Sequence, residues 1–335
     1  MSRTTRPEKT PAAAQTDHRV SRVLWIDVIR AFAIIGIVLT HSMTGRTGET
    51  SSTITTMFIG SASLFFMTSG ALIFPVRPTA GRFLRRRLKH IVPQLILWTL
   101  IYALLQWWLT PVYNLGRSLA WAFFKPTWSE GWFLYVLVAL YLMAPVISPW
   151  LTKAPRHAVE TFLALWLLSG LTPFAHANVT FAQWQTPVYT YFGYMGYMVA
   201  GYYLTRWPVS ARPVRQRVVI WGILLFLGVV AALRLYATAA RWGYSEIMVD
   251  DASFNVMAMC MLWFALLQNV RRLPVWASVT VTWISLCSFG IYLTHSILLH
   301  YVPFIATMSL WPAFAVTLGI SAFAAQILRW LRLDP

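Results

Sequence analysis

Three ionisable side chains share one face of an otherwise apolar segment, LWIDVIRAFAIIGIVLTHS. Arg30 and His41 are eleven residues apart, about three helical turns and about 16 Å along a helix axis. Asp27 lies three residues before Arg30, a spacing that lets the two pair on that face. Ionisable groups in lipid are expensive, so they turn toward a bundle interior and mark functional paths. An imidazole at position 41 titrates near neutrality and can act as general base or acid; equally, it can be an interfacial group bonded to a loop. Arg30 can bind an anion or a polarised carbonyl, or it can fix helix packing through Asp27. The chemistry on offer is proton transfer at one end of a helix and anion stabilisation deeper in it.

Other residues could complete such a site. Glu130 and Trp132 open a later apolar segment in SEGWFLY, and His295 lies in FGIYLTHS. A glutamate beside a histidine orients it and raises its basicity; the alternative for Glu130 is a solvated loop carboxylate. His295 either contacts substrate or satisfies a neighbouring carbonyl. Ser69 and Gly70 in FFMTSG offer a hydroxyl and a small-residue packing contact. The densest basic run, RPTAGRFLRRRLKH, places Arg82, Arg85, Arg86 and Lys89 at i, i+3, i+4 and i+7, one face of a helix. That run either sets topology and touches anionic headgroups or cradles a phosphorylated cytosolic ligand.

The elements that must position these groups are membrane helices. The chain is 58% hydrophobic and only 11% charged, against about 25% charged in soluble proteins. A fold of one all-α polytopic bundle follows. The net charge of +17 reads as topology rather than nucleic-acid binding, because the basic residues cluster between apolar segments. Cys260 and Cys287 both lie in apolar segments, with no CxxC, disulfide framework or zinc spacing.

About ten spans of near-crossing length can be drawn, near 23–42, 54–76, 91–110, 131–151, 158–174, 187–206, 217–238, 253–269, 278–299 and 303–326. With a cytoplasmic N-terminus, 21 of the 27 Lys and Arg residues fall inside and only Arg46, Arg117, Lys125 and Arg241 outside. Arg30 and Arg234 lie within spans. This asymmetry places both termini in the cytoplasm, with His41 at the outer end of span one. Residues 1–22 are polar and read as a disordered cytoplasmic tail; 23–326 form the transmembrane domain and 327–335 a short cytoplasmic tail. Segment one reads as a retained anchor, with no clear cleavage site. No Walker loop, GxGxxG, HExxH or GxSxG is present.

At these residues the sequence resembles the acyltransferase type 3 family of membrane-bound O-acyltransferases, over roughly 21–326. IDVIRAFAIIGIVLTH is similar to that family's Asp-x-x-Arg-x10-His opening, with Asp27, Arg30 and His41 in the matching places. FFMTSGALIF, RFLRRRLKHIVP, WFLYVLVALYLMAPVI and FGIYLTHSILL resemble its later motifs in the same order. Arg82 and Arg85 fit an Arg-x-x-Arg pattern. Two departures stand out: Glu130 replaces a histidine common in the family two residues before Trp132, and the second basic pair reads Arg86 and Lys89.

The resemblance implies a stand-alone enzyme of a bacterial inner membrane. It would move an acyl group, commonly acetyl, from cytosolic acetyl-CoA to a hydroxyl of a cell-surface or lipid-linked glycan. Acyl-CoA would be a co-substrate, with no tightly bound cofactor, no metal and no nucleic-acid partner. His41, Arg30, Asp27 and Glu130 would carry catalysis. Arg82, Arg85, Arg86, Lys89 and Ser69 would hold the donor, and Trp132 and His295 the acceptor. Membrane lipid surrounds the bundle. The competing reading is a transporter or flippase for a lipid-linked glycan, a class that also buries charge.

Overall fold

A computed structural model describes residues 23–43, 49–77, 79–110, 113–122, 124–171, 187–208, 222, 226 and 250–331. The expected tail 1–22, span 217–238 apart from residues 222 and 226, and the arginines Arg46, Arg234 and Arg241 lie outside the described residues. The described helices are α1 (Leu24–Ser42), α2 (Glu49–Phe58), α3 (Ser61–Ile73), α4 (Ala80–Leu109), α5 (Leu115–Trp121), α6 (Trp132–Lys153), α7 (Arg156–Ser169), α8 (Pro187–Arg206), α9 (Phe254–Leu267), α10 (Val275–Tyr301), α11 (Pro303–Thr307) and α12 (Leu310–Trp330). A 3-10 turn, Ser129–Gly131, precedes α6. The described residues contain no strand.

Six helices among the described residues are long and apolar enough to cross a membrane: Leu24–Ser42, Ile54–Ile73, Ala80–Leu109, Ser129–Lys153, Val275–Tyr301 and Leu310–Trp330. This makes the chain a helical membrane bundle. Two of the drawn spans fold as shorter helices, α7 and α9. Helix α8 is long enough but carries six tyrosines and three glycines. Its composition fits its place: Tyr197, Met198, Val199 and Ala200 are fully buried. A helix surrounded by protein satisfies its hydroxyls within the bundle and needs no apolar coat.

Burial grades from centre to rim. Eleven of the 19 residues of α1 are buried, against six of 30 in α4 and five of 21 in α12. The outer faces of α4 and α12 present Leu97, Leu104, Trp108, Ile320 and Phe323, the apolar coat expected toward lipid. The basic run is not a loop. It forms the first three turns of α4, capped where the Thr79 hydroxyl accepts from the Arg82 backbone N–H.

Contacts fix relative directions. Asp27 pairs with Ser285 and Arg30 with Ser288, each 258 residues apart, so α1 and α10 run parallel. Phe66 packs on Tyr194 and Phe74 on Tyr202 at one common offset, so α3 and α8 also run parallel. Helices α4 and α6 run antiparallel, with Phe83 beside Tyr141 and Tyr102 stacked on Trp128 just before α6.

The α3–α8 contact is a backbone contact. A Cβ added at Gly70 would lie 1.9 Å from the Met198 carbonyl oxygen, and one at Gly201 1.9 Å from that of Met67. Small residues bring membrane helices together in this way. Gly70→Ala and Gly201→Ala are therefore each expected to lower stability by about 1–3 kcal/mol through overpacking. Gly81→Ala, with nothing within 4 Å of the new carbon, is expected to be neutral or slightly stabilising. Thermal unfolding in detergent, followed by size-exclusion recovery, measures all three.

Candidate active site

Two polar centres lie along α1 and α10, and α1 contributes to both. At the lower one, Asp27 is buried and its Oδ1 accepts a 2.6 Å bond from Ser285 Oγ. Arg30 Nη2 donates to Ser288 Oγ at 3.2 Å. The described bonds of Asp27 and Arg30 thus run to serines one turn apart on the neighbouring helix. Ser288 Oγ in turn donates to the Ser285 carbonyl at 2.8 Å, so one turn of α10 presents both hydroxyls to the two ionisable groups.

Arg30 and Ser288 face a cavity of about 610 Å³. Its mouth carries Arg86, Arg87, Lys89 and His90 from α4, and Ser69, Thr68 and Leu72 of α3 form one wall. Phe133, Leu137 and Tyr141 of α6 and Phe289 and Tyr292 of α10 form much of the rest. Of the four basic residues named from sequence, Arg86 and Lys89 line this cavity. Arg82 and Arg85 lie on exposed helix outside its lining, while Arg87 and His90 join it. Arg87 sits 5.8 Å from the Tyr141 ring centroid, close enough for a cation–π contact.

The upper centre gathers around Glu130, buried in the turn before α6. Its Oε1 lies 3.6 Å from His41 Nδ1, ion-pair distance, and 3.4 Å from His300 Nε2. Its Oε2 accepts a 2.6 Å bond from Ser296 Oγ, and its carbonyl accepts from the Tyr292 hydroxyl. Helix α4 holds this turn in place. Gln106 Nε2 donates to the Thr127 carbonyl at 2.9 Å, and the Tyr102 ring stacks on Trp128 at 4.6 Å. With Nδ1 of His41 toward a carboxylate, Nε2 is left as its basic nitrogen.

His295 stands beside His41, ring centroids 5.3 Å apart. It is fully buried, and its Nδ1 lies 2.7 Å from the Tyr292 carbonyl and 3.2 Å from that of Ile291. Facing two acceptors, Nδ1 must carry a proton. In the neutral ring Nε2 then presents a lone pair, and that atom is buried without a hydrogen-bond partner. A buried orphan acceptor next to His41 is suited to take a hydroxyl hydrogen. Trp132 lies two residues after Glu130, but its ring stacks on Tyr194 at 5.1 Å. Tyr194 donates to Asp251, which also accepts from Ser63 and ties the start of α9 to α3 and α8.

The structure therefore brings Glu130, His41 and His295 together, and puts Arg30, Ser69, Arg86 and Lys89 around one cavity. Sequence reasoning missed His300, Ser296, Ser285 and Ser288. A signal existed: 285, 288, 292 and 295–296 recur at helical spacing on one face of an apolar segment. Among the described residues, no three of His, Cys, Asp and Glu are arranged to hold a metal ion.

Ser296 supplies a donor to a carboxylate that is 3% exposed. Ser296→Ala is expected to destabilise the protein by about 1–3 kcal/mol, as for a buried acceptor that loses a donor. Thr280→Ala, at an exposed site on the same helix, is expected to leave the unfolding temperature unchanged. Parallel melts in detergent compare the two.

No curated protein and no solved structure matches the chain. A family model described as an acyltransferase domain, acyltransferase type 3, matches residues 23–330, nearly the whole length. An ordered set of intramembrane arginine, histidine and basic motifs, carried on a helical membrane bundle, accompanies that match, and the chain belongs to the acyltransferase type 3 family.

Proposed function

We propose that this chain is an O-acyltransferase that moves an acyl group, acetyl foremost, from cytosolic acyl-CoA to a hydroxyl of a cell-surface or lipid-linked glycan. The observation that carries this reading is the alignment of a basic-mouthed cavity, Arg30 at its wall, and the His41–Glu130 centre beyond it. In this reading Arg86, Arg87 and Lys89 bind the phosphates of CoA, and Arg82 and Arg85 add to the field that attracts them. Ser69 contacts the pantetheine arm that threads toward Arg30. Acyl-CoA is consumed and CoA is released, so neither is retained as a cofactor.

Transfer then follows from the geometry. His41 Nε2 removes the proton of the acceptor hydroxyl while its oxygen attacks the thioester carbonyl. Arg30 stabilises the thioester oxygen or the developing oxyanion. The carbon–sulfur bond breaks, and the thiolate takes a proton to leave as CoA. Glu130 holds His41 through Nδ1, Asp27 helps fix the depth of α1, and Trp132 and His295 contact the acceptor. A two-step route through an acyl-His41 intermediate uses the same residues.

A ten-span topology with both termini in the cytoplasm of a bacterial inner membrane suits this chemistry. In it spans one and nine cross in one direction, as do spans two and six, in keeping with the parallel pairs α1–α10 and α3–α8. Green fluorescent protein fused after residue 335 is expected to fluoresce; a dark but expressed fusion would reverse the orientation.

The decisive experiment incubates purified protein with radiolabelled acetyl-CoA and extracted envelope glycans. Label is expected in glycan with wild type. His41→Ala is expected to lower the rate by about 10²–10⁴ and Arg30→Ala by about 10²–10³. Label trapped on protein would select the acyl-histidine route. Glycan binding without CoA release or transfer, in folded wild type, would favour a glycan transporter instead.

A further inference from the structure

The cavity ends in aromatic rings. Its lining residues nearest the histidine centre are Phe65 on α3, Phe133 on α6 and Tyr292 on α10. The Phe133 ring lies 6.1 Å from Phe65 and 4.8 Å from Tyr292, and it also stacks on Phe66 at 4.8 Å. Phe133 is 5% exposed and Tyr292 4%. On the far side of this layer the Tyr292 hydroxyl bonds to Glu130, and the Tyr292 ring lies 5.6 Å from His295. His41, Glu130 and His295 are absent from the cavity lining. Arg30 and the basic mouth lie on one side of the rings, and the imidazoles of His41 and His295 lie on the other.

This arrangement matters because of distance. The backbones of Arg30 and His41 are about 16 Å apart along α1, so a donor that enters beside Arg30 must extend its acyl end toward His41 before both side chains can act on one thioester. An acyl group delivered from the mouth meets the stack before it meets His41. Aromatic rings packed against three others, as Phe133 is, yield little, since cores are close-packed and a single methylene is felt. A tight apolar slot discriminates by length: one methylene changes selectivity by about 10- to 200-fold.

We propose that Phe133 and Tyr292 form an aromatic constriction that sets the size of the acyl group this protein accepts, passing short groups such as acetyl and rejecting long fatty acyl groups. The inference rests on the acyltransferase reading above. Phe133 and Tyr292 act as specificity-determining residues through shape; Phe133, which reaches neither Glu130 nor a histidine in the described contacts, does so by ring volume alone.

The test uses unreactive thioethers, so no acceptor is needed. Binding of CoA, S-ethyl-CoA and S-octyl-CoA to the full-length protein in detergent is measured by calorimetry for wild type, Phe133→Ala, Phe133→Leu and Tyr292→Phe. Wild type is expected to bind S-ethyl-CoA at least about tenfold tighter than S-octyl-CoA. Phe133→Ala is expected to erase that preference, and Phe133→Leu, which preserves more of the packing, to narrow it. Tyr292→Phe keeps the ring and is expected to retain it. Equal binding of both thioethers by wild type, or one unchanged ratio in wild type and both Phe133 variants, would overturn the constriction while leaving the donor site standing. A lost preference in Tyr292→Phe would overturn the argument from ring volume. Folded wild type that binds none of the three compounds would overturn the donor reading, and the constriction with it.

Discussion

Carboxyl and guanidinium groups cannot sit in a hydrocarbon environment without partners, and this requirement sets the registry of the bundle. Asp27 and Arg30 each meet a serine on α10 at the same offset. Two such bonds, one turn apart, fix both the direction and the axial position of α10 against α1. Everything above them inherits that registry. Eleven residues on from Arg30, His41 arrives beside His295, and one further turn of α10 brings Ser296 and His300 to Glu130. A slip of one residue between the helices would rotate this whole set away. A polar pair that adds little net stability can therefore still specify which arrangement forms.

Charge is divided along the same axis. The mouth of the cavity is cationic and exposed, and the far centre holds one carboxylate shared by two imidazoles. Between them the lining is apolar and aromatic. A low-dielectric layer between the two screens neither field, so each charge acts strongly on groups in the cavity. Helix α4 serves both ends: its first turns carry the basic residues, and Tyr102 and Gln106 near its other end hold the turn bearing Glu130.

Much of this is legible in the sequence, and the parts that are not have a common cause. Arg30 and His41 declare themselves because charge in an apolar run has a high cost and their spacing fits a helix. The basic face of α4 is visible by the same periodicity. Serines are different. Ser285, Ser288 and Ser296 are common small residues in membrane helices, and only a partner on another helix gives them meaning. His300 is hidden for a related reason: its importance lies in reaching Glu130, 170 residues away in sequence. Asp251 lies outside the drawn spans, and its hydroxyl partners come from α3 and α8. Helix α8 reads as polar for a membrane segment because Tyr194, Tyr197, Tyr202 and Tyr203 donate to protein acceptors rather than facing lipid.

The glycine contact between α3 and α8 divides the cavity wall into unequal halves. Gly70 follows Ser69 directly, and behind it stands the backbone of α8, with no side chain in between to rotate or compress. A wall backed by another main chain has no soft layer. The opposite rim, from α4, is built of long basic side chains on an exposed helix, each with several freely turning bonds. Any adjustment between an empty and a filled cavity falls to that rim, so the pocket behaves as a fixed anvil faced by a pliable jaw.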